Sequence, residues 1–181
     1  MELTKNIKEH YQKNWGKYSE HKSEEFDELP KEFRVLKFKP NKKRDMWTYA
    51  TCGMSARLDN YLKELHIFSA KENDFLIELL AAIAHYHHSG AELHWGHTVN
   101  FGCAWAENSN CRYGLISLPY LDGEDVEVLY VGEVLINFWW LIPITKEELE
   151  YKKKKGLDAL EEVFEKKGLN YVDVLRKSVV K

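Results

Sequence analysis

The sequence predicts an α+β domain in which a mixed or antiparallel sheet is packed with helices. Three observations carry this. Residues 126–152, VEVLYVGEVLINFWWLIPITKEELEYK, read as strand, buried strand and capped helix in immediate succession. Residues 75–84, within NDFLIELLAAIAHYHHSG, carry Glu78 as their one formal charge, so this helix is apolar nearly all round and belongs in a core. The tally is three or four helices and six to eight strands, interleaved without a regular βαβ rhythm.

At the N-terminus, Ile7, Tyr11 and Trp15 recur every four residues and Gly16 stands ready to end a helix over residues 4–15. An acidic linker with Glu24, Glu25, Asp27 and Glu28 leads to Pro30. Residues 1–29 are therefore set apart as helix and linker, and 30–181 as the main domain. Strands are predicted at 33–38, FRVLKF, and at 46–52, MWTYATC. Between them Lys37, Lys39, Lys42, Lys43 and Arg44 crowd a turn with Pro40 and Asn41. This reads first as a solvated hairpin tip and second as a patch for an anionic partner.

Gly53, Met54 and Ser55 break the pattern, and a strand resumes at 61–68, with Tyr61, Lys63, Leu65 and Ile67 on one face. The apolar helix follows. Asn73 or Asp74 can cap it, and Gly90 lies just beyond its end. Short strands are predicted at 98–102 and 113–119, and LDGED (121–125) is read as a turn.

The stretch from Val134 to Ile142 is apolar on both faces, broken by Asn137 and ended by Pro143. It predicts a central strand covered on both sides. Thr145 and Glu148 have the spacing of a capping box, and Ile144 and Leu149 occupy the staple positions around it. The stripe Leu149, Gly156, Leu160, Val163 predicts one long helix running through Gly156, bent there and closed by Gly168. On that helix Glu148–Lys152 and Glu150–Lys154 are candidate ion pairs. The tail NYVDVLRKSVV is either a last strand or an extended segment lying on the domain.

Composition narrows the function classes. Net charge is −3, from 26 basic and 29 acidic residues, which argues against a general nucleic-acid binder. The N-terminus MELTKNIKEH is charged and amphipathic, unlike a secretory signal. The longest apolar runs, nine to twelve residues, are shorter than a membrane span needs. Cys52, Cys103 and Cys111 form neither a disulfide framework nor a CxxC pattern. A cytoplasmic protein is expected, and no pattern specifies an oligomeric state.

His85, His87, His88, His94 and His97 are five of the eight histidines and fall within 13 residues. Imidazoles at i and i+3 on a helix, with HxxH after it, could ligate a metal. HExxH is absent, however, and histidines in a last turn complement the helix dipole. The structural reading comes first and a histidine-ligated metalloprotein, with a hydrolase as one form of it, is the alternative. Ser55 lacks the GxSxG elbow, Cys52 reads as core, and Cys103 with His97 is a minor nucleophile–base option. Trp139 and Trp140 read as core before they read as a ligand platform. No Gly-rich phosphate loop occurs. The residues alone thus specify no catalytic, cofactor or metal site.

The ordered set WTYATCGMS, ELHIFS, ELLAAIAHYH, GHTVNFG, GLISLPY and FWWLIPITKEELEYKKKKGLDALEEVF resembles the suppressor-of-fused-like (SUFU) domain family in its compact bacterial form, over roughly residues 30–180. The resemblance implies an α+β domain that binds other proteins, without enzymatic activity or cofactor. Animal members sequester zinc-finger transcription factors of the Hedgehog pathway in the cytoplasm. This chain is short beside them, and no counterpart of their C-terminal lobe is expected in it. Compact bacterial members are proposed to be immunity proteins that neutralise a cognate toxin. A toxin is therefore the expected partner. The acidic patches Glu24, Glu25, Asp27, Glu28 and Glu124, Asp125, Glu127 are candidates to steer a basic one.

Overall fold

The computed structural model describes residues 2–54 and 62–180; Ser55 and Tyr61 lie outside this set. In chain order the elements are α1 (Glu2–Trp15), β1 (Tyr18–His21), β2 (Arg34–Phe38), β3 (Trp47–Cys52), β4 (Leu62–Ser69), α2 (Phe75–His88), β5 (Thr98–Asn100), β6 (Tyr113–Ser117), α3 (Glu124–Glu127), β7 (Val128–Val131), β8 (Val134–Ile144), α4 (Lys146–Lys155) and α5 (Leu157–Lys167). The strands form one sheet in the order β1-β2-β3-β4-β8-β6-β5, and β7 also pairs with β8. β4 and β8 run parallel, and the other pairs are antiparallel.

β8 is the splint of this sheet. One edge pairs with β4 from Ile136 to Trp140. The other edge pairs with β7 over Val134–Asn137 and with β6 over Trp140–Ile144. The strand continues through Pro143 to Ile144 instead of ending at the proline. Pro143 lies opposite Gly114 of β6, beyond the reach of β4, so the missing N–H falls where only one edge is paired. Gly114 is needed for packing, since a Cβ there would stand 2.6 Å from Leu141 Cδ1 and 2.7 Å from the Phe101 ring.

The period-two alternation of the strands sorts side chains onto two faces. Val35, Tyr49, Leu65, Ile67, Trp139 and Leu141 pack with the apolar residues of α2. On the opposite face, Leu36, Phe38, Ala50, Cys52 and Phe138 meet Ile7, Tyr11 and Trp15 of α1. Beside α1, Phe68, Leu115, Trp140 and Ile142 meet Leu149, Leu160 and Phe164 of α4 and α5. The central strand is therefore covered on both sides, as its apolar run, broken by Asn137 alone, predicts. Trp139 and Trp140 point into different clusters.

Several local expectations change. The stretch read as an acidic linker contains β1, which pairs with β2. The LDGED turn opens into the short helix α3. Asp74 is the N-cap of α2 by position, yet its carboxylate goes to Lys37 and makes no cap bond. The hairpin tip is only partly solvated: Lys39, Lys42 and Lys43 are exposed, whereas the Lys37 side chain is buried and that of Arg44 is largely covered. Gly156 breaks the C-terminal helix in two. Its φ of 96° and ψ of 171° lie outside the helical region and in territory that favours glycine, so α4 stops and α5 restarts. Gly168 closes α5 in the left-handed conformation.

The Thr145–Glu148 capping box forms, and Ile144 and Leu149 are both buried beside it. Glu148 does more than cap. Its Oε2 accepts from Thr145 N–H at 2.9 Å and from Arg176 Nη2 at 2.7 Å. Its Oε1 accepts from Arg176 Nη1 at 2.6 Å and from Val179 N–H at 3.0 Å. Glu148 is thus taken by the tail, not by Lys152, and Glu150 pairs with Lys153 in place of Lys154. The tail forms no strand; it lies on the domain, fixed by the buried Arg176.

A second buried carboxylate, Glu64, closes the end of β3. It accepts from Thr51 Oγ1 at 2.6 Å, Gly53 N–H at 2.8 Å and Met54 N–H at 3.1 Å. Burial pushes its carboxyl up to about 7, against the pull of these donors.

Two stability predictions follow from these carboxylates. Arg176→Met leaves Glu148 buried without its cation and should cost about 3–5 kcal/mol in chemical denaturation, against about 1 kcal/mol for Thr145→Ala. Equal losses would show that Arg176 does not hold the tail. For Glu64 the fold raises the pKa, so the native state holds a proton that the unfolded chain releases. Its contribution to stability is present in acid and lost as pH rises from about 4.5 to about 7. The stability of the wild type relative to Glu64→Gln should fall across that window, and a flat difference would refute the buried-carboxyl assignment.

Candidate functional site

On the α4–α5 side of the sheet the structure opens into a cleft of about 610 Å³. Trp140 and Ile142 of β8 and Ser117 of β6 contribute from the sheet, and α5 contributes Asp158, Glu161, Glu162, Phe164 and Glu165. The remaining walls are Tyr120 and Leu121, after β6, and Gly168, Leu169 and Tyr171, after α5.

Each wall has a physical reason to be where it is. Asp158, Glu161, Glu162 and Glu165 follow the i, i+3, i+4, i+7 spacing of one helix face, while Leu160 and Phe164 on the neighbouring face dock α5 on the sheet. The loop bearing Tyr120 and Leu121 is anchored by Asp122. Its Oδ1 accepts from Trp15 Nε1 at 2.9 Å and pairs with Arg44, which leaves the hairpin tip to reach it. The Arg44 guanidinium lies over the rings of Trp15 and Phe68, at 5.3 and 4.7 Å. Burial pushes Arg44 down to about 10, still charged at neutral pH. The opposite wall is fixed by Tyr171, whose ring meets Trp140 edge to face at 4.9 Å.

Glu161 is the polar centre of the cleft. Its Oε1 accepts from Ser117 Oγ at 2.6 Å and its Oε2 from Tyr120 Oη at 3.2 Å. Tyr120 is raised above the ordinary tyrosine range by burial first, then by the charges of Glu161, Glu127 and Asp158. Glu127 of the second predicted acidic patch therefore adjoins this rim. Glu124 and Asp125 of the same patch are exposed on α3, against α1. The first acidic patch lies with α2 on the other face of the sheet, where Glu28 reaches His85 and Ser23 donates to Glu78. The fold does not bring the two patches together.

The histidine cluster disperses. His85 Nε2 stands 3.0 Å from Glu28 Oε2, and buried His87 accepts from Leu93 N–H through Nδ1 at 3.4 Å. The His94 and His97 rings meet edge to face at 5.3 Å, and His97 is lowered by burial and by His94. Among the described residues no group of three or more His, Cys, Asp or Glu side chains is placed to hold a metal ion. Cys103 Sγ turns to the Phe101 carbonyl at 3.6 Å, while Cys52 and Cys111 are buried. No helix among the described residues is long and apolar enough to cross a membrane.

Sequence reasoning passed over the cleft. The acidic spacing of α5 was visible, but its meaning depends on Tyr120, Trp140 and Tyr171, which three separate segments deliver to the same place.

Comparison with known proteins gives a consistent picture. Over its full length the chain is similar to a SUFU (suppressor of fused protein) homologue from Neisseria gonorrhoeae, at 33% identity, covering 98% of that structure with a TM-score of 0.84. It shares its fold with Sufu in a Sufu–Fu complex, at 14% identity over 98% of this chain and 91% of that one, with a TM-score of 0.70. Among curated proteins it is 27% identical to immunity protein YqcF of Bacillus subtilis over 92 residues, 45% of this chain and 48% of that protein. It is 29% identical to the uncharacterized protein UU111 of Ureaplasma parvum over 115 residues, 63% of this chain and 57% of that one. The matched stretches span about half the length of these two relatives. Residues 30–177 match the family described as Suppressor of fused protein (SUFU), and the chain belongs to that family.

Proposed function

We propose that this chain is a non-enzymatic binding domain that works in the cytoplasm as an immunity protein, occluding a cognate toxin. The observation that carries the binding role is the cleft: an aromatic and aliphatic surface, open to solvent, framed by elements that are each pinned to the core. Apolar area of this kind, rimmed by polar groups, suits a protein partner. The likeness to YqcF supports a toxin as that partner, and the mixed α+β scaffold of the SUFU family supports protein binding in general. The carboxylates of α5 line the cleft and Glu127 of α3 adjoins its rim, while Glu124 and Asp125 are exposed nearby in sequence; such charges would attract a basic toxin before contact.

Co-expression with the product of the neighbouring reading frame tests this reading. A stable complex on co-purification and restored growth of toxin-expressing cells are expected. Neither complex nor rescue would overturn the proposal. Reversal of Glu124, Asp125 and Glu127 to lysine should slow association at low salt and flatten its salt dependence, because these charges act by steering. An unchanged rate would remove α3 from the interface.

A further inference from the structure

We infer that the cleft recognises an arginine side chain, presented by an exposed segment of the protein partner. This rests on the protein-binding reading above and specifies its chemistry. The central observation is the state of Glu161. Its two oxygens are held by neutral hydroxyls, Ser117 Oγ and Tyr120 Oη, which fix the carboxylate in place without neutralising it. Among the described residues no Lys, Arg or His side chain forms a salt bridge with it. Asp158, Glu162 and Glu165, the other acidic residues of the lining, are equally without a salt-bridge partner among the described residues, and the lining contains no basic residue.

Arg44 lies over Phe68 and acts electrostatically on Tyr171 of the cleft wall, but it is already paired with Asp122. The cleft therefore carries an uncompensated negative charge against an apolar floor. Such a site favours a cation that can also be desolvated against rings.

Arginine fits this description better than lysine. Each oxygen of Glu161 keeps a lone pair after accepting from its hydroxyl, so a planar guanidinium can still be bound by two parallel N–H donors. The rings of Tyr120, Trp140 and Tyr171 line the same space, and a guanidinium is the cation that packs well against rings, whereas an ammonium is a compact, strongly hydrated charge. Tyr120 and Leu121 stay 58% and 46% exposed, so this wall is available to an incoming chain. The volume of about 610 Å³ accommodates the side chain with flanking backbone.

The test uses the full chain and three blocked pentapeptides, identical except for a central arginine, lysine or citrulline, followed by amide and indole NMR shifts. The arginine peptide should move signals of Tyr120, Trp140, Glu161 and Tyr171, with lysine weaker. Citrulline, which keeps the shape and loses the charge, should bind least. Glu161→Gln preserves the shape and the hydroxyl contacts and should weaken the arginine peptide about tenfold, the scale of losing a charge-assisted bidentate pair. Glu165→Gln, at an exposed helix position, should weaken it less without touching the fold. Equal binding of citrulline and arginine, shifts outside the cleft, or no shift at millimolar peptide would each overturn the inference. Failure here is separable from failure of the immunity reading. If the wild type rescues cells and Glu161→Gln with Glu165→Gln rescues equally well, the arginine site falls while immunity stands. If the wild type does not rescue, the immunity reading falls whatever the peptides do.

Discussion

One buried carboxylate, Glu148, ties the C-terminal half of the molecule together. It caps α4 through Thr145, so the longest strand of the sheet can turn directly into a helix. It also binds Arg176 and the Val179 N–H, so the chain after α5 must fold back across the start of α4. Arg176 passes the constraint on to the Pro143 carbonyl at 2.7 Å. Four donors on two oxygens satisfy this carboxylate fully, which is the condition under which a buried charge is tolerated. Leu169 and Tyr171 lie on the segment that this clasp retains, and they form a wall of the cleft. The geometry of the candidate site thus depends on an ion pair outside it.

The other constraint is β8. Because β7 and β6 share one edge of it end to end, the two antiparallel partners register against a single strand and against β4 at once. That triple pairing places Trp140 where β4, β8 and β6 meet, over Phe68 and beside Ser117. Floor and polar centre of the cleft are therefore set by sheet register, which a slip of one residue would turn to the opposite face.

Much of this was legible in the chain. Strand alternation, the all-round apolar α2, the capping box and the resemblance to the SUFU family point to the same architecture. What escaped has a common physical origin. A run such as Lys37 to Arg44 reads as solvated because local sequence cannot show that Glu72, Asp74 and Asp122 wait in space for two of its cations. The stripe through Gly156 read as one helix because the apolar phase resumes after the glycine; only the positive φ reveals the break. The clustered histidines suggested a joint role through proximity in sequence, but helix and loop geometry send His85 to Glu28 and His94 to His97.

The contrast between Glu148 and Glu161 carries the functional argument furthest. Both are glutamates on the C-terminal helices, and both have two occupied oxygens. Around Glu148 the donors include a guanidinium, so charge and hydrogen-bonding capacity are balanced within the fold. Around Glu161 the donors are hydroxyls, so hydrogen-bonding capacity is partly met while the charge stays uncompensated. Neighbouring Asp158, Glu162 and Glu165 add to the field instead of offsetting it. Asp122, only two residues past Tyr120, shows that the fold neutralises a carboxylate where structure requires it, using Arg44 brought from the hairpin tip. The charge left open at Glu161 thus sits on a surface whose walls are already fixed, so an incoming cation meets a prepared site and little ordering cost is added on binding.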